Sequence, residues 1–144
     1  MQINSITNGI VIDHIRAGTA LKVIKHLNIR PEKGGDSVAV IMNVVSEKHG
    51  RKDIIKLANV TNVNIDVLGL IDHNATVIYI DKGKVVKKLK LAHPQIVRNV
   101  FECKKPRCVV SIEEVDNVFH LVDESGKYRC EYCDNIVTID DMGV

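Results

Sequence analysis

Four cysteines, the whole thiol content of the chain, stand as Cys103-x4-Cys108 and Cys130-x2-Cys133. Each pair is spaced to close a tight turn that points two sulfurs at one atom. Two such turns facing each other make a tetrahedral thiolate cage that suits Zn2+. The alternative is two disulfides in a secreted domain. The N-terminus shows neither a basic start nor a long apolar run, which predicts no secretory leader, and short-spaced cysteine pairs in that setting favour metal. An all-cysteine set leaves no open coordination position, so the expected zinc is structural, one ion per chain, and its binding energy is folding energy. Lys104, Lys105, Arg107 and Arg129 lie in or beside the turns, where cations are expected to hold the thiolates deprotonated. From Gln95 onward the only aromatics are Phe101, Phe119, Tyr128 and Tyr132. A unit that small with so little to bury needs a staple.

No second chemistry competes with the cage. Neither a P-loop nor a Gly-x-Gly-x-x-Gly run occurs, and there is no Ser-x-x-Lys or nucleophile elbow. The cysteines are committed to metal, and the carboxylates show no pairing suited to acid–base work. The sequence gives no positive argument for an enzyme.

The elements that must carry these residues can be read in order. Ile10 to Ile15 is a β-branched run after the turn signal Asn8-Gly9, which predicts a strand. Thr19 reads as the N-cap of a helix through Leu27, with Ala20, Val23, Ile24 and Leu27 as its apolar stripe and Asn28 and Pro31 closing it. Gly34-Gly35 lead into a strand from Ser37 to Val45, followed by a turn at residues 47–50 and a strand from Arg51 to Ala58. That last strand alternates Lys52, Ile54 and Lys56 against Asp53, Ile55 and Leu57. A short helix is expected from Asn64 to Asp72, with Ile65, Leu68 and Ile71 on its apolar side, although Gly69 weakens it by about 1 kcal/mol relative to Ala. Two strands, Ala75 to Asp81 and Lys84 to Leu91, flank the hairpin turn Lys82-Gly83. The order β-α-β-β-α-β-β predicts an α+β fold, related to the ferredoxin-like type, with an antiparallel sheet and two helices on one face. A small, mainly β zinc domain follows. His93-Pro94 marks the boundary, giving domains 1–94 and 95–144.

Charge is uneven along the chain. The formal net charge is +2, yet residues 82–107 hold nine basic groups against one acid, and residues 108–144 hold two basic groups against nine acids. The basic stretch raises a second reading, a zinc-ribbon nucleic-acid binder. Aromatics make up only 3% of the chain, so bases would have nothing to stack on, and the acidic tail would repel phosphates. No stretch approaches the roughly 18 apolar residues that span a bilayer. A cytoplasmic protein is expected.

Three stretches taken together change the reading. Gly-Ile-Val-Ile-Asp-His-Ile at 9–15, Gly-Arg-Lys-Asp-Ile-Ile-Lys at 50–56, and Arg-Asn-Val-Phe-Glu-Cys-x4-Cys followed by Cys130-x2-Cys133 resemble, in this order and spacing, the regulatory chain of aspartate carbamoyltransferase. The resemblance covers nearly the whole chain. It implies an N-terminal allosteric domain that binds CTP, ATP and, in some members, UTP, and a zinc domain that docks on the catalytic chain. It also implies pairing of two regulatory chains through the N-terminal domain. Carried over by position, the effector pocket uses Asp13, His14, Lys56 and Lys88, walled by Ile6, Val11, Ile54, Ile80 and Val85. The resemblance turns His14 and Lys88 toward phosphates, and Asp13 and Lys56 toward sugar and base. The family has a polar amide where this chain has Ile78 and an aromatic where it has Gly83, a departure that bears on base selectivity. Read without the family, Lys56 and Lys88 are solvent-facing strand lysines, Asp13 an ordinary strand-end acid, and His14 a sheet histidine. Strict alternation places Lys88 on one strand face with Lys84, Val86 and Lys90. It sends Asp13 and His14 to opposite faces, so a shared pocket requires a bend between them.

Overall fold

The structure is a computed structural model that describes residues 6–27, 29, 36–47 and 50–139. The expected helix stop at Asn28 and Pro31, the Gly34-Gly35 lead and residues 48–49 of the expected turn lie outside these residues.

The first unit follows the expected order: β1 (Gly9–Arg16), α1 (Ala20–Lys25), β2 (Ser37–Ser46), β3 (Gly50–Ala58), α2 (Ile65–Ile71), β4 (Thr76–Asp81) and β5 (Lys84–Lys90). The five strands form one antiparallel sheet in the order β2-β3-β1-β4-β5. Alternation sorts the side chains. Ile10, Ile12, Ile55, Leu57 and Val77 point to one face and pack there with Ala20 and Val23 of α1 and Leu68 of α2. Both helices therefore cover the same side of the sheet. Each fully buried Ile or Leu contributes roughly 1.5–3 kcal/mol relative to exposure.

Helix α1 departs from its sequence pattern at both ends. Thr19 makes no side-chain cap; the carboxylate of Asp53, fully buried on β3, accepts from the backbone N–H groups of Gly18 (2.9 Å) and Ala20 (3.1 Å) instead. Asp53 also accepts from Asn43 N–H at 2.8 Å, tying the irregular middle of β2 to the helix start. The C-terminus stops at Lys25 rather than Leu27, because the amide of Leu27 turns back to Ile24 in a tighter, three-residue bond. Helix α2 is capped as its sequence suggests, with Asn64 Oδ1 accepting from the amides of Asp66 and Val67, both at 3.2 Å. Its buried side is Val67, Leu68 and Leu70, whereas Ile65 is exposed. The expected stripe was rotated because α2 is wedged between two cores, with Leu68 in the first and Leu70 in the second.

A second antiparallel sheet follows, β6 (Ile96–Arg98), β7 (Val118–Asp123), β8 (Lys127–Cys130) and β9 (Ile136–Thr138), paired in that order. Its core is small. Phe101 and Phe119 meet with ring centroids 4.3 Å apart, and Tyr128 and Leu70 complete the cluster with Cys103, Cys108 and Cys130. Tyr132 is not part of it; its side chain is exposed.

The join between the units is packed closely. A Cβ on Gly69 would lie 2.2 Å from the carbonyl oxygen of Ala92, so α2 meets the segment connecting β5 to the second unit backbone to backbone. Glycine is required there, and its helix penalty is the cost of that approach. The Tyr128 hydroxyl donates to the carbonyl of Pro94 at 2.7 Å, and the amide of Leu121 donates to Gln95 O at 2.8 Å.

Candidate metal centre and effector face

The four sulfurs converge as the spacing requires, with all of them within 4.8 Å of one another. Cys103 Sγ stands 3.6 Å from Cys133 Sγ, and Cys108 Sγ stands 3.7 Å from Cys130 Sγ. A disulfide would need about 2.05 Å. A tetrahedron with metal–sulfur bonds of about 2.3 Å has edges of about 3.8 Å, so the donor set fits a four-coordinate metal ion. Two knuckles position it. The first runs from Cys103 through the turn at Lys105 to Cys108, and the second leaves β8 at Cys130.

The support for the thiolates differs from the expected shell of cations. Backbone N–H groups point at the sulfurs, from Lys105 to Cys103, from Val110 to Cys108, and from Tyr132 and Cys133 to Cys130. Arg129 is engaged elsewhere, with its guanidinium 2.7 Å from Asp134. Burial pushes the Cys103 thiol up to about 12. Burial acts on Cys130 in the same sense, but the amides of Cys133 and Tyr132 outweigh it and bring that thiol below its usual value. One end of the cage thus favours the charged ligand, while the other needs a cation beside it to ionise.

The residues expected at the effector pocket fall on the face of the first sheet that the helices leave open. Directly paired residues share a face. The register runs Ala39, Lys56, Val11, Ile78, Lys88 across all five strands in one transverse row. With strands about 4.8 Å apart, the two lysines stand about 14 Å apart at their Cα atoms, with Val11 and Ile78 as the floor between them. Ile80 pairs with Val85 in the neighbouring row, and Ile54 lies two residues from Lys56 on the same face. Ile6 precedes Thr7, whose carbonyl accepts from Gly83 N–H at 2.8 Å, which holds the segment beside the β4–β5 hairpin.

Two bulges alter the parity that the sequence suggested. Between the pairs Ile12↔Ile55 and Ile15↔Asp53, Asp13 and His14 occupy the space of one residue, and His14 has φ of 58°. This is the required bend, and it returns Ile15 to the core. On β5, Tyr79 pairs with Lys87 while Ile80 pairs with Val85, leaving Val86 as the extra residue. Lys88 consequently shares its face with Val85 and Lys90, not with Lys84 and Val86. Lys84 pairs with Asp81 on the other parity.

Lys52 was not among the expected site residues. Its ammonium stands 3.0 Å from Asp13 Oδ1. Burial acts to raise the Asp13 carboxyl, but Lys52 and the His14 amide at 2.7 Å outweigh it, leaving it below its usual value. Lys52 lies four residues before Lys56 on an alternating strand, so its shared face was readable; its partner across the bulge was not. His14 itself opens into a cavity of about 250 Å3 with Arg16, Arg51 and Lys52. The basic stretch that suggested nucleic acid is divided, with Lys84 to Lys90 on β5 and Lys104 to Arg107 in the first knuckle.

Two family descriptions match the chain. "Aspartate carbamoyltransferase regulatory chain, allosteric domain" covers residues 1–92, and "Aspartate carbamoyltransferase regulatory chain, metal binding domain" covers residues 95–143. The aspartate carbamoyltransferase regulatory chain of Clostridium botulinum is 47% identical over 144 residues, covering 99% of this chain and 97% of the relative. That of Clostridium acetobutylicum is 46% identical over 138 residues (94% and 93%), and that of Bifidobacterium longum 44% over 136 residues (93% and 96%). Likeness that runs through both sheets and the join between them extends to the whole chain rather than to one module, and the chain belongs to the family of aspartate carbamoyltransferase regulatory chains, noncatalytic subunits with an allosteric and a metal-binding domain.

Proposed function

We propose that residues 1–94 bind the nucleotide effectors CTP and ATP, and UTP with them, on the open sheet face, and that residues 95–144 hold one structural Zn2+ and dock on the catalytic chain. The observation that carries the first part is the row Lys56, Val11, Ile78, Lys88. Two long cationic side chains flank an apolar floor, the arrangement a base and a polyphosphate would need. Asp13, already paired with Lys52, keeps lone pairs for ribose hydroxyls, and Lys52 adds a third cation. Ile78 and Gly83 leave the base fewer polar and stacking partners than the family pattern supplies.

Zinc is favoured by the sulfur-only donor set and its near-tetrahedral edges. When bound it supplies no chemistry beyond charge and cross-linking; Cys103, Cys108, Cys130 and Cys133 would hold it. A cytoplasmic setting, where thiols stay reduced, suits that role. Among the described residues no helix is long and apolar enough to cross a membrane. Self-pairing would use a sheet edge, and β2, which carries the strongly exposed Val45, is one. Control of the catalytic chain then requires effectors to bind the two quaternary states with different affinity.

The test is calorimetric titration of the metal-loaded full chain with CTP and ATP. Lys56→Gln and Lys88→Gln should each weaken binding about tenfold through loss of a charge-assisted contact. Binding that is unchanged in the double variant refutes the site. Mixing with the catalytic trimer should yield a larger assembly that chelation or Cys130→Ser abolishes. Because Leu70 of α2 lies in the metal domain's core, chelation should also loosen α2 while β1 to β5 stay paired.

A further inference from the structure

A second cluster of cationic groups lies away from the open face, where the two units join. A cleft of about 370 Å3 there is lined by Arg16 from the end of β1, His73 after α2, His93 from the segment between β5 and β6 and Lys127 from β8, over an apolar floor that includes Leu70 and Ile139. Among the described residues no carboxylate lines it. The acids nearest in sequence stand beside the cleft rather than in its lining. Asp72 accepts from the amides of Arg16 (2.6 Å) and Asn74 (3.0 Å), and Asp123 accepts from the amides of Ser125 (2.9 Å) and Lys127, with its charge acting on Lys127 as well. The rings of His73 and His93 stack with centroids 4.2 Å apart and planes at 27°, and His93 Nδ1 is buried with no hydrogen-bond partner.

Two fixed cations and two stacked imidazoles, brought from four separate segments with no carboxylate among the described lining residues, form a surface suited to an anion. We propose that this interdomain cleft binds a phosphate-type dianion, with Arg16 and Lys127 as fixed charges and the stacked histidines taking up a proton as it binds. A tetrahedral oxyanion presents acceptors in several directions, so it can receive guanidinium, ammonium and imidazolium donors from both units together. The volume is at the small end for ligand cavities, which suits a single phosphoryl group. Burial, and then the neighbouring His73, pull His93 below the usual imidazole range, so the empty cleft holds it neutral near pH 7. A bound dianion reverses that balance. By reciprocity its affinity rises as pH falls. Arg16 follows the Asp13-His14 bulge by two residues and Lys127 precedes Cys130 by three, so occupancy would tie the effector unit to the metal unit.

The experiment is an NMR titration of the His73 and His93 ring protons in the metal-loaded full chain, with inorganic phosphate against chloride at equal ionic strength. Phosphate should raise the His93 midpoint by about one unit. Lys127→Gln should remove most of that rise, while Lys88→Gln on the open face should leave it intact. Equal midpoints in phosphate and chloride overturn the proposal, as does a rise that survives Lys127→Gln and disappears in Lys88→Gln. The sequence continues into Asp140 and Asp141; a phosphate effect seen only after Asp140→Asn with Asp141→Asn would mean that the chain's own carboxylates are the anion, and would also overturn it. Methyl phosphate run alongside identifies the source. A matching rise supports the phosphoryl head of a larger ligand, and a much weaker one supports the free ion.

Discussion

Gly69→Ala sets two effects of opposite sign against each other at one atom. Helix propensity alone favours alanine inside α2 by about 1 kcal/mol. The added methyl, however, would lie 2.2 Å from Ala92 O and 3.3 Å from Ala92 C, where real contacts do not fall below 3.0 Å. The obstacle is backbone, so no rotamer change relieves it, and α2 must move from the connecting segment by about 0.8 Å. That movement displaces Leu68 from one core and Leu70 from the other. Overpacking of this kind costs roughly 1–3 kcal/mol, and a backbone-to-backbone contact belongs at the upper end. The net loss is then about 2 kcal/mol, or a fall in Tm of about 4–8 °C for a chain of this size. Thermal unfolding of the metal-loaded chain followed by far-UV circular dichroism measures it. A rise of about 2–4 °C, as propensity alone dictates, would show that the two units do not meet as closely as the structure has them.

Asp53→Ala leaves the amides of Gly18, Ala20 and Asn43 without their acceptor, and should cost about 3 kcal/mol or more in urea unfolding, with α1 the first segment to lose exchange protection. Tyr128→Phe strands the Pro94 carbonyl and should cost about 1–3 kcal/mol. Burial, and then Asp66, push the Tyr128 phenol up to about 12, so the folded state keeps a proton that the unfolded state releases near 10. Its contribution is therefore full below pH 10 and lost as pH rises toward 12, and the 295 nm titration of the wild type should show one tyrosine ionising only at that upper limit.

The cage was readable from spacing because knuckle geometry is local: x4 and x2 separations fix which sulfurs can face one atom, whatever the rest of the chain does. The β-α-β-β-α-β-β order was readable for the same kind of reason, since alternation of two and a stripe of three to four are set by neighbours in sequence. The row Lys56, Val11, Ile78, Lys88 was not. It depends on the register of three strand pairs, and two extra residues, one at Asp13-His14 and one at Val86, reverse the face of everything beyond them. No local preference announces a bulge in advance; it is chosen by what the partner strand and the core require, here the return of Ile15 to the interior. The same holds for Asp53, which reads as one more alternating strand residue. It becomes the cap of α1 only because β3 passes beneath Gly18 and Ala20 in three dimensions. The division of α2 between two cores, and with it the need for a glycine at 69, likewise belongs to the packing of the units, since a helix stripe records how many apolar faces there are but not what each one meets.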